Sequence, residues 1–131
     1  MKFAKYTFLV AGIYGVLVLV PQYFLLERNG QDYPPAITHP EYYYGFVGTA
    51  LVFQLVFFVI STNPAKYRAL IGVSILEKVA FAVPAAILFF SNMLSPALFG
   101  AGMIDALLGV LFLISFIKVR PQGATNWPAN T

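Results

Sequence analysis

Four apolar stretches, each long enough to cross a lipid bilayer, constrain this 131-residue chain more than any other feature. A helix rises about 1.5 Å per residue, so about 20 apolar residues cross a hydrocarbon core of roughly 30 Å. Because lipid offers no hydrogen-bond partners, such a stretch must satisfy its own backbone as a helix. The sequence therefore predicts an all-α, integral membrane four-helix bundle in a single transmembrane domain, residues 1–131. The predicted helices are residues 6–26, 42–60, 69–90 and 98–117.

The composition agrees with a membrane environment and excludes several kinds of site. The chain is 60% hydrophobic and only 10% charged, whereas roughly a quarter of the residues in soluble domains are charged. It has no cysteine, which excludes disulfides, thiolate nucleophiles and cysteine-ligated zinc or iron–sulfur centres. His39 is the only histidine, too few for a multi-histidine metal or haem site in one copy. We therefore predict no metal and no cofactor, and we assign no catalytic residue.

Basic residues at the ends of the helices predict the orientation, because cytoplasmic loops carry an excess of lysine and arginine. Six basic residues fall on one side of the predicted bundle: Lys2, Lys5, Lys66, Arg68, Lys118 and Arg120. The opposite side has only Arg28, so both termini are predicted to be cytoplasmic, with the first helix uncleaved. Residues 121–131 are predicted to be a flexible tail. The scattering of the basic residues argues against a nucleic-acid partner.

The first loop, residues 27–41, carries two candidate residues for a role on the outside. Asn29-Gly30 indicates a turn, and THPEYYYG (38–45) is typical of a helix start with Pro40 in the first turn. Glu41 fits a helix cap and interface anchor near the positive end of the helix dipole, with a binding role as the alternative. His39, beside this carboxylate, either belongs to a plain loop or senses pH.

Small residues are spaced along the helices as packing devices. Lipid tails are as apolar as leucine, so helices in a membrane associate through close backbone approach and polar contacts. Every predicted helix offers residues that permit such an approach: Gly12, Gly15, Gly45, Gly48, Thr49, Ala82, Ala85, Ala86, Gly100, Ala101, Gly102 and Gly109.

The sequence ILEKVAFAVP (75–84) places two adjacent charges inside the third apolar stretch. Counting about 1.5 Å per residue from the cytoplasmic edge puts Glu77 and Lys78 roughly 12–14 Å deep, level with Gln54 and Tyr14 and close to Asp105. A charge at mid-membrane costs about 2.5–3.5 kcal/mol on insertion scales, so these side chains should turn inward and find partners. The five residues are therefore candidates for a ligand-binding polar layer, or else a structural cluster that fixes the register of the helices.

Partners within this layer follow from helix geometry. Neighbouring residues on a helix point about 100° apart, so Glu77 and Lys78 are not expected to form one simple pair. We expect Lys78 to reach Asp105. Glu77 is expected to reach Gln54 or Tyr14.

The chain resembles the small bacterial four-helix membrane proteins typified by the DoxX-like families. The resemblance rests on the four-span layout, Glu41 at the start of the second helix, the basic turn NPAKYRAL (63–70) and the segment DALLGVLFLISF (105–116). It implies a membrane bundle in the bacterial cytoplasmic (inner) membrane, sometimes an accessory subunit of a quinone-linked oxidoreductase. It supplies no catalytic residue for this chain.

Three functions are compatible with the sequence. The first is a non-enzymatic multi-pass membrane protein, either an accessory subunit or a binder of a lipid, quinone or other apolar small molecule. Its partners would be membrane lipid, such a ligand, and further chains in a homo-oligomer or larger membrane complex. The second is a proton-coupled transporter that uses the Glu77 layer. The third is a membrane isomerase with Glu77 and Asp105 as acid and base.

Overall fold

The structure is a computed structural model that describes residues 2–121, and this part of the chain contains helices and no strand. Of the predicted flexible tail, residues 121–131, all but Pro121 lie outside the described residues. The elements in chain order are α1 (Lys2–Leu19), a 3₁₀ helix (Val20–Phe24), α2 (Leu26–Asp32), α3 (Pro40–Thr62), α4 (Arg68–Phe90) and α5 (Pro96–Lys118).

Four of these helices confirm the predicted all-α fold class. The segment from Lys2 to Phe24 and helices α3, α4 and α5 each have 23 residues and are long and apolar enough to cross a membrane. The predicted bounds of the first helix, 6–26, were wrong at both ends. The helix begins at Lys2, and it tightens into the 3₁₀ helix after Leu19 because Pro21 has no backbone N–H for an α-helical bond.

The first loop contains a short helix that the sequence pattern did not indicate. The predicted turn at Asn29-Gly30 was wrong, because both residues lie within α2. Gly30 is needed there for close packing: a Cβ atom at this position would lie 3.3 Å from the Cα atom of Ala36. The Asn29 amide donates hydrogen bonds of 2.8 Å to Gln22 Oε1 and to the Tyr43 hydroxyl. These contacts fasten α2 to the start of α3.

The long helices associate most closely as two antiparallel pairs, α1 with α3 and α4 with α5. The start of α1, the end of α5 and the α3–α4 turn lie at one end, called here the terminal end, where Lys118 Nζ sits 4.7 Å from the centre of the Phe3 ring. The other end, with α2 and the α4–α5 turn, is the loop end. Helix α1 also packs against α5, while α3 and α4 touch less.

Glycines set the close approach within each pair, as the spacing of small residues predicts. A Cβ at Gly12 of α1 would lie 2.6 Å from the Phe58 ring of α3, and one at Gly15 would collide with the Gln54 side chain. In the other pair, a Cβ at Gly102 of α5 would lie 2.7 Å from the Cβ of Ala85. Gly45 and Gly100 have no such neighbour, so the packing role predicted for them was wrong.

The buried core that joins the two pairs lies toward the terminal end. Phe112 of α5 stacks on Phe8 of α1 with ring centres 4.2 Å apart, and Phe57 of α3 meets Phe112 edge-on at 5.0 Å. All three rings are fully buried. The rest of this cluster consists of smaller apolar side chains: Ala4, Ala11, Ile60, Ile71 and Val119. Aromatic pairs of this kind contribute about 0.5–1.5 kcal/mol each beyond the area they bury.

Toward the loop end the pairs are less tightly joined. The buried stripe of α1, from Ala4 through Phe8 and Ala11, would continue at Val18 one heptad after Ala11, yet Val18 is 42% exposed. Phe46 of α3 and Phe81 of α4 bridge the pairs here, with ring centres 6.0 Å apart.

Arg68 fastens the start of α4 to the end of α5. Its Nε donates to the backbone oxygens of Val119 at 2.9 Å and Phe116 at 3.3 Å, and its guanidinium carbon lies 3.7 Å from the centre of the Phe116 ring. The last carbonyls of a helix have no partner within the helix, so a cation there is stabilising.

Substitution of Arg68 with alanine is expected to lower the free energy of unfolding by about 1.5–3 kcal/mol, because hydrogen bonds to charged groups contribute that much. Arg68→Lys should recover less than half of this loss, since an ammonium lacks the planar fork that spans both carbonyls and the ring. Unfolding in SDS, followed by circular dichroism, measures both variants. Lys66→Ala in the same turn is the control, and an equal effect of Lys66→Ala and Arg68→Ala would contradict the assignment.

Candidate functional site

Three ionisable side chains meet in the middle of the long helices. Lys78 Nζ of α4 lies 3.4 Å from Asp105 Oδ1 of α5 and 3.5 Å from Oε2 of its neighbour Glu77. We call these three residues the charged triad. Lys78 follows Arg68 by ten residues, which places it about 15 Å along α4 and near the middle of that 23-residue helix.

The contact between Lys78 and Asp105 agrees with the partner expected for Lys78 from the sequence. The expectation that Glu77 and Lys78 do not pair was wrong, because Lys78 Nζ approaches both carboxylates. Their Cα–Cβ bonds diverge along the helix, but the four-carbon lysine side chain is long and flexible enough to bring its ammonium back toward Glu77.

The contact expected between Glu77 and Gln54 or Tyr14 is not formed. The Gln54 amide instead donates 2.8 Å to the carbonyl of Ala50 in its own helix, and Glu77 Oε2 has no hydrogen-bond partner. The reason lies in the pairing of the helices. Gln54 faces α1, where its side chain fills the space above Gly15, whereas Glu77 belongs to the opposite helix pair.

A residue that the sequence analysis missed lies beside the ammonium. The ring centre of Phe57 is 5.1 Å from Lys78 Nζ, a cation–π distance. Phe57 follows Gln54 by three residues on the same face of α3, so helical periodicity could have indicated it. The ring joins the triad to the aromatic core, and it gives the buried ammonium a third favourable neighbour.

Exposure differs sharply within the triad. The Lys78 side chain is 6% exposed, whereas the side chains of Glu77 and Asp105 are 19% and 20% exposed. Tyr14 of α1 is 36% exposed and lies close enough to Asp105 for the two side chains to interact electrostatically. A molecule that approaches the triad from outside the protein would therefore meet the two carboxyl groups first. The ammonium lies behind them.

The five candidates of the predicted polar layer thus divide into two groups. Glu77, Lys78 and Asp105 form the triad, with Tyr14 near its rim. Gln54 is buried between α1 and α3, and its Oε1 atom has no hydrogen-bond partner. The carboxyl groups of the triad can hold a proton or pass it on, and the triad can bind a polar head group by hydrogen bonds.

The two loop candidates lie at the loop end, apart from the triad. His39 is the N-cap residue of α3, and its Nδ1 lies 3.0 Å from Glu41 Oε1. The imidazole stacks on the Tyr42 ring with centres 4.7 Å apart. Both members of the pair are more than half exposed, so the pair contributes little to stability. Within residues 2–121, no group of three or more His, Asp or Glu side chains could hold a metal ion.

Comparisons of the chain with protein-family models, with curated proteins and with solved structures find no match.

Proposed function

We propose that the chain is a non-enzymatic, multi-pass protein of the bacterial cytoplasmic (inner) membrane, in which the four long helices cross as a bundle with both termini in the cytoplasm. Length and apolar character of these helices support the spanning arrangement. The excess of lysine and arginine at the terminal end supports the orientation. In this arrangement the charged triad lies near the bilayer midplane.

The function that this geometry supports best is binding of an apolar small molecule, such as a quinone or lipid, by a polar group that reaches the triad. The observation that carries this proposal is the one-fifth exposure of two carboxyl groups in the middle of the long helices. Ionisable groups are rare at that depth and mostly serve a ligand, ion or proton path. The same site would serve a free-standing binder or an accessory subunit of a larger membrane complex or homo-oligomer.

Native mass spectrometry of the protein, extracted from its membrane in mild detergent, tests this proposal. Wild-type protein should retain a small apolar molecule. Loss of a charged hydrogen bond weakens binding by about 1.5–3 kcal/mol, so Glu77→Gln should reduce affinity roughly 10-fold to 150-fold. Glu41→Gln, which alters an exposed carboxylate at the loop end, is the matched control. Empty wild-type protein, or equal retention by Glu77→Gln and wild type, would count against binding at the triad.

A second candidate is proton-coupled transport through the same layer, which the presence of two carboxyl groups for one ammonium favours. Flux of a substrate into vesicles should then depend on pH and disappear in Glu77→Gln. The isomerase hypothesis has less support, because both carboxyl groups contact the same lysine and no geometry sets one apart as the acid and the other as the base.

A further inference from the structure

The charges of the triad do not balance. Two carboxyl groups approach a single ammonium at 3.4 and 3.5 Å, so the triad carries one net negative charge when all three groups are ionised. No other basic side chain can supply the missing positive charge. The remaining lysines and arginines lie at the ends of the long helices or in α2: Lys2, Lys5, Arg28, Lys66, Arg68, Lys118 and Arg120.

The neighbours of the triad do not remove this charge either. From α3, the ring of Phe57 lies 5.1 Å from Lys78 Nζ, and this ring does not ionise. From α1, Tyr14 is a neutral phenol within electrostatic range of Asp105. Glu77 Oε2 is itself buried and has no hydrogen-bond partner. A buried carboxylate oxygen without a donor is costly in an apolar medium, and a proton removes its charge.

We propose that Glu77 and Asp105 together hold one exchangeable proton at neutral pH, so that the triad is a neutral proton-binding site. The proton belongs to the pair of carboxyl groups rather than to one of them, because both interact with the same ammonium. Their partial exposure leaves the proton accessible from the protein surface, whereas the nearly buried Lys78 fixes the positions of both groups. This proton provides a coupling between pH and any molecule that binds at the proposed site.

Infrared spectroscopy of the purified protein in lipid vesicles, without added ligand, tests the proposal. A protonated carboxyl group has a C=O stretch that is distinct from the carboxylate bands and shifts in D₂O. At neutral pH the number of protonated carboxyl groups in the triad should equal its carboxyl groups minus its ammonium groups. Wild type should show one such band, Glu77→Gln and Asp105→Asn should each lose it, and Lys78→Met should show about twice the intensity. Glu41→Gln should leave the band unchanged.

A wild-type spectrum without the band, or a band that survives in both Glu77→Gln and Asp105→Asn, would overturn the proposal. Circular dichroism and size-exclusion chromatography establish that each variant is folded. Glu77→Gln and Asp105→Asn each test the loss of the band independently. One of them that folds is therefore sufficient for the test. This proposal uses the site assigned above, but the assay contains no ligand. Absence of the band alone would refute proton binding, whereas loss of ligand retention with the band present would refute only the ligand-binding proposal.

Discussion

Lys78→Met is expected to lower the free energy of unfolding by about 3–5 kcal/mol at neutral pH, because the carboxylate that loses its buried counter-charge must take up a second proton at a pH where a carboxyl group in water is ionised. Both Glu77 and Asp105 lose the ammonium that lies 3.4–3.5 Å from them. Unfolding in SDS at pH 7, followed by circular dichroism, measures the change.

The triple variant Glu77→Gln, Lys78→Met and Asp105→Asn is the matched control. Neutral side chains of similar size need no counter-charge, so this variant should recover most of the stability that Lys78→Met loses. The deficit of Lys78→Met should also shrink as the pH falls, because the second proton that its two carboxyl groups take up costs less free energy at lower pH. A triple variant as unstable as Lys78→Met would show that the lysine stabilises through packing instead of charge.

Gly102→Ala is expected to lower the free energy of unfolding by about 1–3 kcal/mol, the usual effect of overpacking. A Cβ atom at Gly102 would lie 2.7 Å from the Cβ of Ala85, and neither atom belongs to a flexible side chain that could move aside. Helices α4 and α5 must therefore separate at this point. The separation would also shift Asp105, one turn further along α5, away from Lys78.

Gly100 of the same helix provides a closely matched control, because a Cβ atom there would have no neighbour within 4 Å. Gly100→Ala should leave the stability unchanged or raise it by up to about 1 kcal/mol, since alanine favours the helix more than glycine does. Thermal unfolding in one detergent, recorded for both variants, compares them directly. Equal effects of the two substitutions would contradict the close approach of α4 and α5 at Gly102.

Gly100 and Gly102 also show how much a sequence pattern can predict about helix packing. Gly100 and Gly102 are both small residues in the same apolar segment, and the pattern predicted a packing role for both. Only Gly102 faces another helix. The presence of small residues shows that another helix can pack closely against this one. The rotation of the helix about its axis decides which of these small residues lies at the contact.

The charged triad shows the same difference between what a sequence pattern predicts and what the packing of the helices decides. Depth along the helices, counted from the sequence, placed Lys78 near Asp105, and the two side chains do meet. The missed contact of Lys78 with Glu77 and the missed ring of Phe57 depend on where a long side chain ends, which spacing along the chain does not specify. The contact expected between Glu77 and Gln54 failed because α1 pairs with α3 and α4 pairs with α5, an arrangement that no single helix encodes.

By itself the sequence determined that the chain has four helical segments long and apolar enough to cross a membrane, and that three charged groups lie within them. The physical reason is that the length and apolar character of a segment are local properties, which the bilayer and backbone hydrogen bonding convert directly into a helix. Only the tertiary structure decided which helices pair, where the aromatic core lies and which carboxyl groups share Lys78. Those features depend on contacts between residues far apart in the chain, where differences of a few ångströms in side-chain position decide which groups meet.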